Sequence, residues 1–312
     1  MNIALDMMGG DFAPEELVKG VRDYLSENKP ALVSLIGDEQ LLAPLLNQYQ
    51  VPASAYRIVP TTEVIDMHEH PLKALKAKPN SSIAVGFGML AAGKTDAFIS
   101  AGNTGAMLIG SLYTIKPIEG VQRPTIGTIV PMENGNTGLL LDVGANADCK
   151  AEHLNQFATL GSLYAKYILG IENPRVGLIN IGEEEGKGNV LAQSTYPLLK
   201  ENNEINFIGN VEGRDVFLDH ADVLVCEGFT GNVILKLAES LHGIMERQNV
   251  HTEYFDRFNF EDYGGTPVLG VNKPVIIGHG ISRAKAYKNM LLLAQKMIST
   301  QLLEKMASAF QA

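Results

Sequence analysis

Short apolar runs alternate along the chain with longer stretches in which apolar residues recur three and four positions apart. The runs predict strands at 2–7 (NIALDM), 31–37 (ALVSLIG), 56–60 (YRIVP), 96–100 (DAFIS) and 138–144 (GLLLDVG). Four more follow at 175–182 (RVGLINIG), 205–211 (INFIGNV), 221–228 (ADVLVCEG) and 274–280 (PVIIGHG). Apolar residues occupy consecutive positions in these runs, as expected of parallel strands covered on both faces. Helical spacing fills several of the gaps, most clearly at 153–169 (HLNQFATLGSLYAKYIL). The alternation predicts an α/β fold: an open, mostly parallel, Rossmann-like sheet with helices on both faces. Residues 112–137 and 249–273 are the irregular stretches. There is no internal repeat and no long linker, so the length fits one large domain or two fused lobes.

Polar residues and glycines gather where the predicted strands stop. Asp6 is followed by Gly9 and Gly10, and Ser100 by Gly102, Asn103, Thr104 and Gly105. Asp142 is followed by Gly144 and Asn146, Asn180 by Gly182 and Glu184, Asn210 by Arg214, and Glu227 by Gly228 and Asn232. Ligands of open α/β sheets bind outside the carboxyl ends of the strands, and glycine lets backbone amides approach them closely. At any single position an ordinary turn or helix cap is the simpler explanation; so many positions together point to a ligand crevice. The strand–turn–helix segment 99–113 (ISAGNTGAMLIGSLY) is the sharpest case, because free N–H groups at a helix start suit phosphate. Gly105 to Gly110 has P-loop spacing, but Ser111-Leu112 stands where a lysine and a hydroxyl residue belong; no GxGxxG follows the first strand. Lys187, in the turn GEEEGKGN, is either a point charge for a dianion or a solvated lysine. His279, between two glycines, either donates to an oxyanion and moves protons or is a satisfied buried histidine.

Charge narrows the choices. Thirty-five acids against 25 bases give a net charge of -10, which disfavours nucleic acid as a partner. Two basic clusters stand out, Lys73, Lys76 and Lys78 in one and Arg283, Lys285 and Lys288 in the other; each is either a solvated face or a docking patch for an acidic protein. Cys149 and Cys226 form no CxxC pair, which leaves zinc and disulfides unsupported and a reducing cytosol as the default. The N-terminus reads as a strand rather than a leader, and no apolar run is long enough to span a membrane. Ile234, Leu237, Leu241 and Ile244 share one face of a helix over 233–247, which predicts packing on the sheet or on a second copy rather than on a membrane surface.

The motifs ALDMMGGD (4–11), SAGNTGA (100–106), LDVGANADCK (141–150), NIGEEEGKGN (180–189), FIGNVEGRD (207–215), CEGFTGNV (226–233), YGGTPVLG (263–270) and IIGHGIS (276–282) run in order over nearly the whole chain. In these the chain resembles the phosphate acyltransferase family PlsX. The resemblance implies one domain over 1–312, with a fold like phosphotransacetylases and isocitrate- or isopropylmalate-type dehydrogenases. It implies an acyltransferase without cofactor or metal, converting acyl-[acyl carrier protein] and inorganic phosphate into acyl-phosphate and free carrier protein. It further implies a cytoplasmic homodimer with peripheral membrane association, a helical segment around 233–262 serving dimer or membrane contact, and a membrane glycerol-3-phosphate acyltransferase as recipient of the product. In this scheme phosphate is itself the nucleophile. Asp6, Asn103, Lys187 and His279 are expected to be catalytic, and Ser100, Thr104 and Arg214 to complete the phosphate cradle. One of the two basic clusters is expected to receive the carrier.

Overall fold

The computed structural model describes residues 1–27 and 30–311. The chain forms two compact units, Met1–Pro117 with Phe260–Leu303, and Ile118–Asn259 with Glu304–Ala312. In chain order the first stretch carries β1 (Asn2–Asp6), α1 (Glu15–Leu25), β2 (Leu32–Gly37), α2 (Glu39–Gln48), β3 (Tyr56–Pro60), α3 (Pro71–Ala77), α4 (Ser82–Ala91), β4 (Ala97–Ser100) and α5 (Thr104–Gly110). The middle stretch carries β5 (Thr125–Pro131), β6 (Thr137–Leu141), α6 (Ala151–Tyr164), β7 (Arg175–Asn180), α7 (Val190–Glu201), β8 (Asn206–Glu212), β9 (Val223–Val225), α8 (Gly228–Arg247) and α9 (Glu253–Asp256). The chain closes with β10 (Thr266–Leu269), β11 (Val275–Ile277), α10 (Ala284–Ser299) and α11 (Leu302–Gln311).

The first unit holds strands in the order β3-β2-β1-β4-β11-β10, parallel except for β10, which runs against β11. In the second unit the order is β5-β6-β9-β7-β8, parallel except for the β5–β6 pair. Helices lie on both sides, as predicted, and the middles of the core strands are apolar: Ile3, Leu5, Phe98, Ile99, Val223 and Val225 are fully buried. The two stretches that look irregular in sequence each hide an antiparallel strand, β5 and β10. Gly127 and the flanking threonines interrupt the apolar run of β5, but the hairpin has a readable signal in Asn134-Gly135, where Gly135 takes φ +92.

A charged latch fixes the entry edge of the second sheet. Asp222 just before β9 accepts from Arg175 at the start of β7, from the backbone N–H (2.8 Å), Nε (3.0 Å) and Nη2 (2.9 Å). Burial raises the Asp222 carboxyl, but the Arg175 hydrogen bonds outweigh it and hold the pKa below the ordinary value of 3.8. Its contribution is therefore present above that value and lost as the pH falls through the lowered one. Asp222→Asn is expected to cost about 2 kcal/mol at pH 7, the range of a hydrogen bond to a charged group. In urea titrations the gap from the parent should close as the solution is acidified below pH 3.8; a gap that is constant with pH would contradict the latch.

Candidate active site

In the first unit β1, β4 and β11 lie side by side and end together, with Leu5 level with Ile99 and Ser100 level with Ile277. Asp6, 1% exposed, accepts from the Ser100 hydroxyl (2.7 Å) and from the Met8 N–H (2.9 Å). The same hydroxyl accepts from the Gly102 N–H (3.0 Å), so one buried carboxylate organises the turn after β4. Burial pushes the Asp6 carboxyl above its ordinary pKa, against the hydrogen bonds from Ser100, Ser82, Met8 and Gly9. Gly9 is required sterically: a Cβ there would stand 2.6 Å from the Gly102 nitrogen and 2.7 Å from the carboxylate. Gly10 takes φ +99, and the next residue, Asp11, donates its N–H to the Gly280 carbonyl (2.7 Å).

Asn103 is a clip rather than an open ligand. Its Oδ1 caps α5 by accepting from Ala106 N–H (2.9 Å), while Nδ2 donates to the carbonyls of Asp66 (2.9 Å), Glu69 (3.1 Å) and Met67 (3.3 Å). Its side chain is spent on structure, so what this turn offers an anion is backbone N–H. Thr104 is exposed at the start of α5, and Gly105 lies against Pro71, where a Cβ would come within 2.3 Å of the ring. His279 follows β11, half-buried, its ring 4.6 Å from the ring of Phe260.

The rim of the second unit is built on Asp142, which is fully buried. Its carboxylate accepts from the backbone N–H of Ile126 (3.1 Å), Ala145 (3.3 Å) and Asn146 (2.6 Å) and from Asn146 Nδ2 (3.1 Å). Burial raises this carboxyl as well, opposed by those donors. Asn146 also donates to the Pro124 carbonyl (2.8 Å), and Asn232 to that of Val143 (3.1 Å), beside Gly144 at φ +131. Asn180 shapes the next loop, accepting from Ile181 N–H (2.8 Å) and donating to the Lys187 carbonyl (3.1 Å). Asn210 donates to the Glu184 carbonyl (2.9 Å) across the loop that holds the buried Gly182. These strand ends open on a cleft of about 880 Å³ lined among others by Asn180, Gly188, Glu212, Arg214, Glu227 and Thr230. Sequence reasoning passed over Thr230; its signal is Glu227, whose carboxylate caps α8 and accepts from the Thr230 hydroxyl (2.6 Å).

Several expectations change in detail. Lys187 is exposed and 3.8 Å from Glu184, and Arg214 is held by Glu212 (2.6 Å) with Asp215 and Glu183 nearby, so an anion would compete with carboxylates for either. Lys78 is paired with Glu69 and the Val64 carbonyl, which leaves Lys73 and Lys76 as the exposed part of the first cluster. In the second cluster Lys285 pairs with Asp262, Lys288 with Glu27, and Arg283 stacks on Phe12 at 4.0 Å. The helix read at 233–247 begins at Gly228, and its apolar face lies open: Phe229, Val233, Leu237, Leu241 and Ile244 are all exposed. Cys149 is pushed up to about 12 by burial and Cys226 is raised by burial, so neither supplies a thiolate nucleophile.

The sequence profile of fatty acid synthesis proteins matches residues 1–305. The chain belongs to that family. A relative from Dictyoglomus turgidum, named phosphate acyltransferase, is 44% identical over 98% of this chain and 96% of its own. Another from Desulfitobacterium hafniense with the same name is 45% identical over 97% and 96%. As in other members of this enzymatic family, the activity is that of an acyltransferase. In fold the family member described above is similar to a phosphotransacetylase from Streptococcus pyogenes, with TM-score 0.69 at 18% identity over 96% of this chain and 94% of that one.

Proposed function

We propose that the enzyme moves an acyl group from the thioester of an acyl carrier protein to inorganic phosphate, yielding acyl-phosphate and free carrier protein. The observation that carries this is the rim of the first unit: glycines packed so tightly that no side chain fits, around a buried carboxylate that fixes the turn from Ser100 to the start of α5. Such a rim suits a small anion and a developing oxyanion, which backbone N–H groups stabilise without reorganising. A phosphate oxygen attacks the thioester carbonyl carbon. The tetrahedral intermediate then collapses, the C–S bond breaks and the carrier leaves as its thiolate, which takes a proton from solvent. No covalent enzyme intermediate is needed, in keeping with the two raised cysteines. Asp6 and Asn103 act as positioning residues for the turn 100–105, and His279, at the neighbouring strand end, faces the oxyanion. Lys187 and Arg214 offer positive charge at the strand ends of the second unit.

The acidic carrier docks on Lys73 and Lys76, the exposed lysines of the first cluster. The open apolar face of α8 pairs two copies into a homodimer, and acyl-phosphate passes to a membrane glycerol-3-phosphate acyltransferase in phospholipid synthesis. No helix among the described residues is long and apolar enough to cross a membrane; the membrane association in this proposal is peripheral. The test is thiol release from palmitoyl carrier protein with and without phosphate, in the parent and in Lys187→Ala. Release that requires phosphate and falls at least about tenfold in the variant, a loss of one charge-assisted contact, is expected. Release independent of phosphate would refute the reaction, and an unchanged variant would remove Lys187.

A further inference from the structure

Away from the strand-end rim the first unit carries a second concavity, of about 490 Å³, enclosed by α3, α4 and the helical segment that begins with α5. Leu72, Leu75, Ala84, Phe87 and Ile109 make its walls, and Lys76 is the one charged residue lining it. Its floor is preformed. The Phe87 ring meets Phe98 edge-on at 5.0 Å, and Gly110 makes room for it, since a Cβ there would stand 2.1 Å from the ring. After Gly110 the helix widens to a π-turn over Ser111–Ile115, which sets Tyr113 and Thr114 at the mouth; π-turns inside helices are frequent at functional sites.

Two observations indicate what fills it. First, both flanking helices start at the rim: α5 is capped by Asn103, whose amide also holds the loop that leads into α3. From Thr104 to Gly110 the helix advances about 9 Å at 1.5 Å per residue, so an occupant anchored at the rim reaches the floor only if it is long. Second, the lip is positive, with Lys76 lining it and Lys73 exposed one turn earlier. An apolar, elongated group delivered by an acidic macromolecule satisfies both conditions. A methylene is close in size to water, which occupies about 30 Å³ in the liquid, so the cavity takes a chain on the order of fifteen methylenes.

We infer that this pocket between α3, α4 and α5 holds the acyl chain of the thioester donor and sets the enzyme's preference for long chains. The inference rests on the function proposed above and adds where the chain goes. The experiment compares kcat/KM for palmitoyl and butyryl carrier protein, with saturating phosphate, in the parent, Ala84→Phe and Thr114→Trp. Ala84 is half-buried and its replacement tests the inner wall; Thr114 is exposed, so Trp can block the mouth without entering the core. Each variant is expected to lower the palmitoyl-to-butyryl ratio by at least about tenfold, which losing burial of two methylenes suffices to produce. If Ala84→Phe does not fold, Thr114→Trp decides alone. A ratio within twofold of the parent's in a folded Thr114→Trp enzyme overturns the pocket assignment while leaving the reaction intact. A parent enzyme inactive on both donors overturns the reaction itself, and the pocket assignment with it.

Discussion

Asp142→Ala is expected to destabilise the second unit by about 4 kcal/mol, since four N–H donors would lose one buried acceptor and each unpaired group costs about 1–3 kcal/mol. The donors come from three places, the start of β5, the turn 143–146 and the Asn146 side chain, so the carboxylate ties these segments together alongside the Val143 N–H to Ile126 carbonyl bond (3.1 Å) and the Asn146 to Pro124 bond (2.8 Å). The first turn of α8 leans on the same residue: Gly228 N–H donates to the Asn146 carbonyl (2.8 Å), and a Cβ on Gly231 would stand 1.9 Å from the Asp142 carbonyl oxygen. The unfolding midpoint in urea should therefore drop steeply and activity should be lost with it. A variant with parental stability would show that the buried carboxylate is not the keystone of that rim.

Asp6→Asn separates activity from stability. Asp6 is buried with its carboxyl raised by desolvation. A raised carboxyl is easiest to bury protonated, so the parent loses stability as the pH rises from 3.8 through the raised value. Asparagine carries no charge and is expected to escape that loss, giving a protein at pH 7 at least as resistant to urea as the parent. It also replaces one carboxylate oxygen, so either the Ser100 hydroxyl or the Met8 N–H loses its acceptor, and the turn closed by the Gly102 N–H to Ser100 bond loosens. Phosphate-dependent thiol release is expected to fall about a hundredfold, equivalent to about 2.7 kcal/mol of transition-state stabilisation. Parental turnover in the stable variant would dissociate the Asp6–Ser100 pair from the reaction.

The parallel strands were legible because each is a compact apolar run ending in a polar residue or glycine. The same ends exposed most of the candidate residues. Partnerships were not legible. That Asp6 receives Ser100, 94 residues away, follows from β1 and β4 being neighbours, and strand order is not written in the local pattern. Asn103 reads as an anion ligand from its glycine neighbours, yet its amide is claimed by a loop that sequence places at no particular distance. Lys78 looks like a member of a basic patch because the sequence shows three lysines within six residues and hides the pairing of Lys78 with Glu69. The pocket over Phe87 escapes notice for another reason: its floor depends on Gly110 leaving room for the Phe87 ring, a contact between separate helices that no local pattern displays.

The clip at Asn103 has a mechanical consequence. One amide group fastens the carbonyls of Asp66, Met67 and Glu69 to the head of α5, so the helix that bears Lys73 and Lys76 cannot shift without tugging the turn next to Ser100. Under the docking proposed above, a carrier that settles on those lysines pulls on the turn next to Ser100. Lengthening the 66–69 segment by even one residue would put slack in that line.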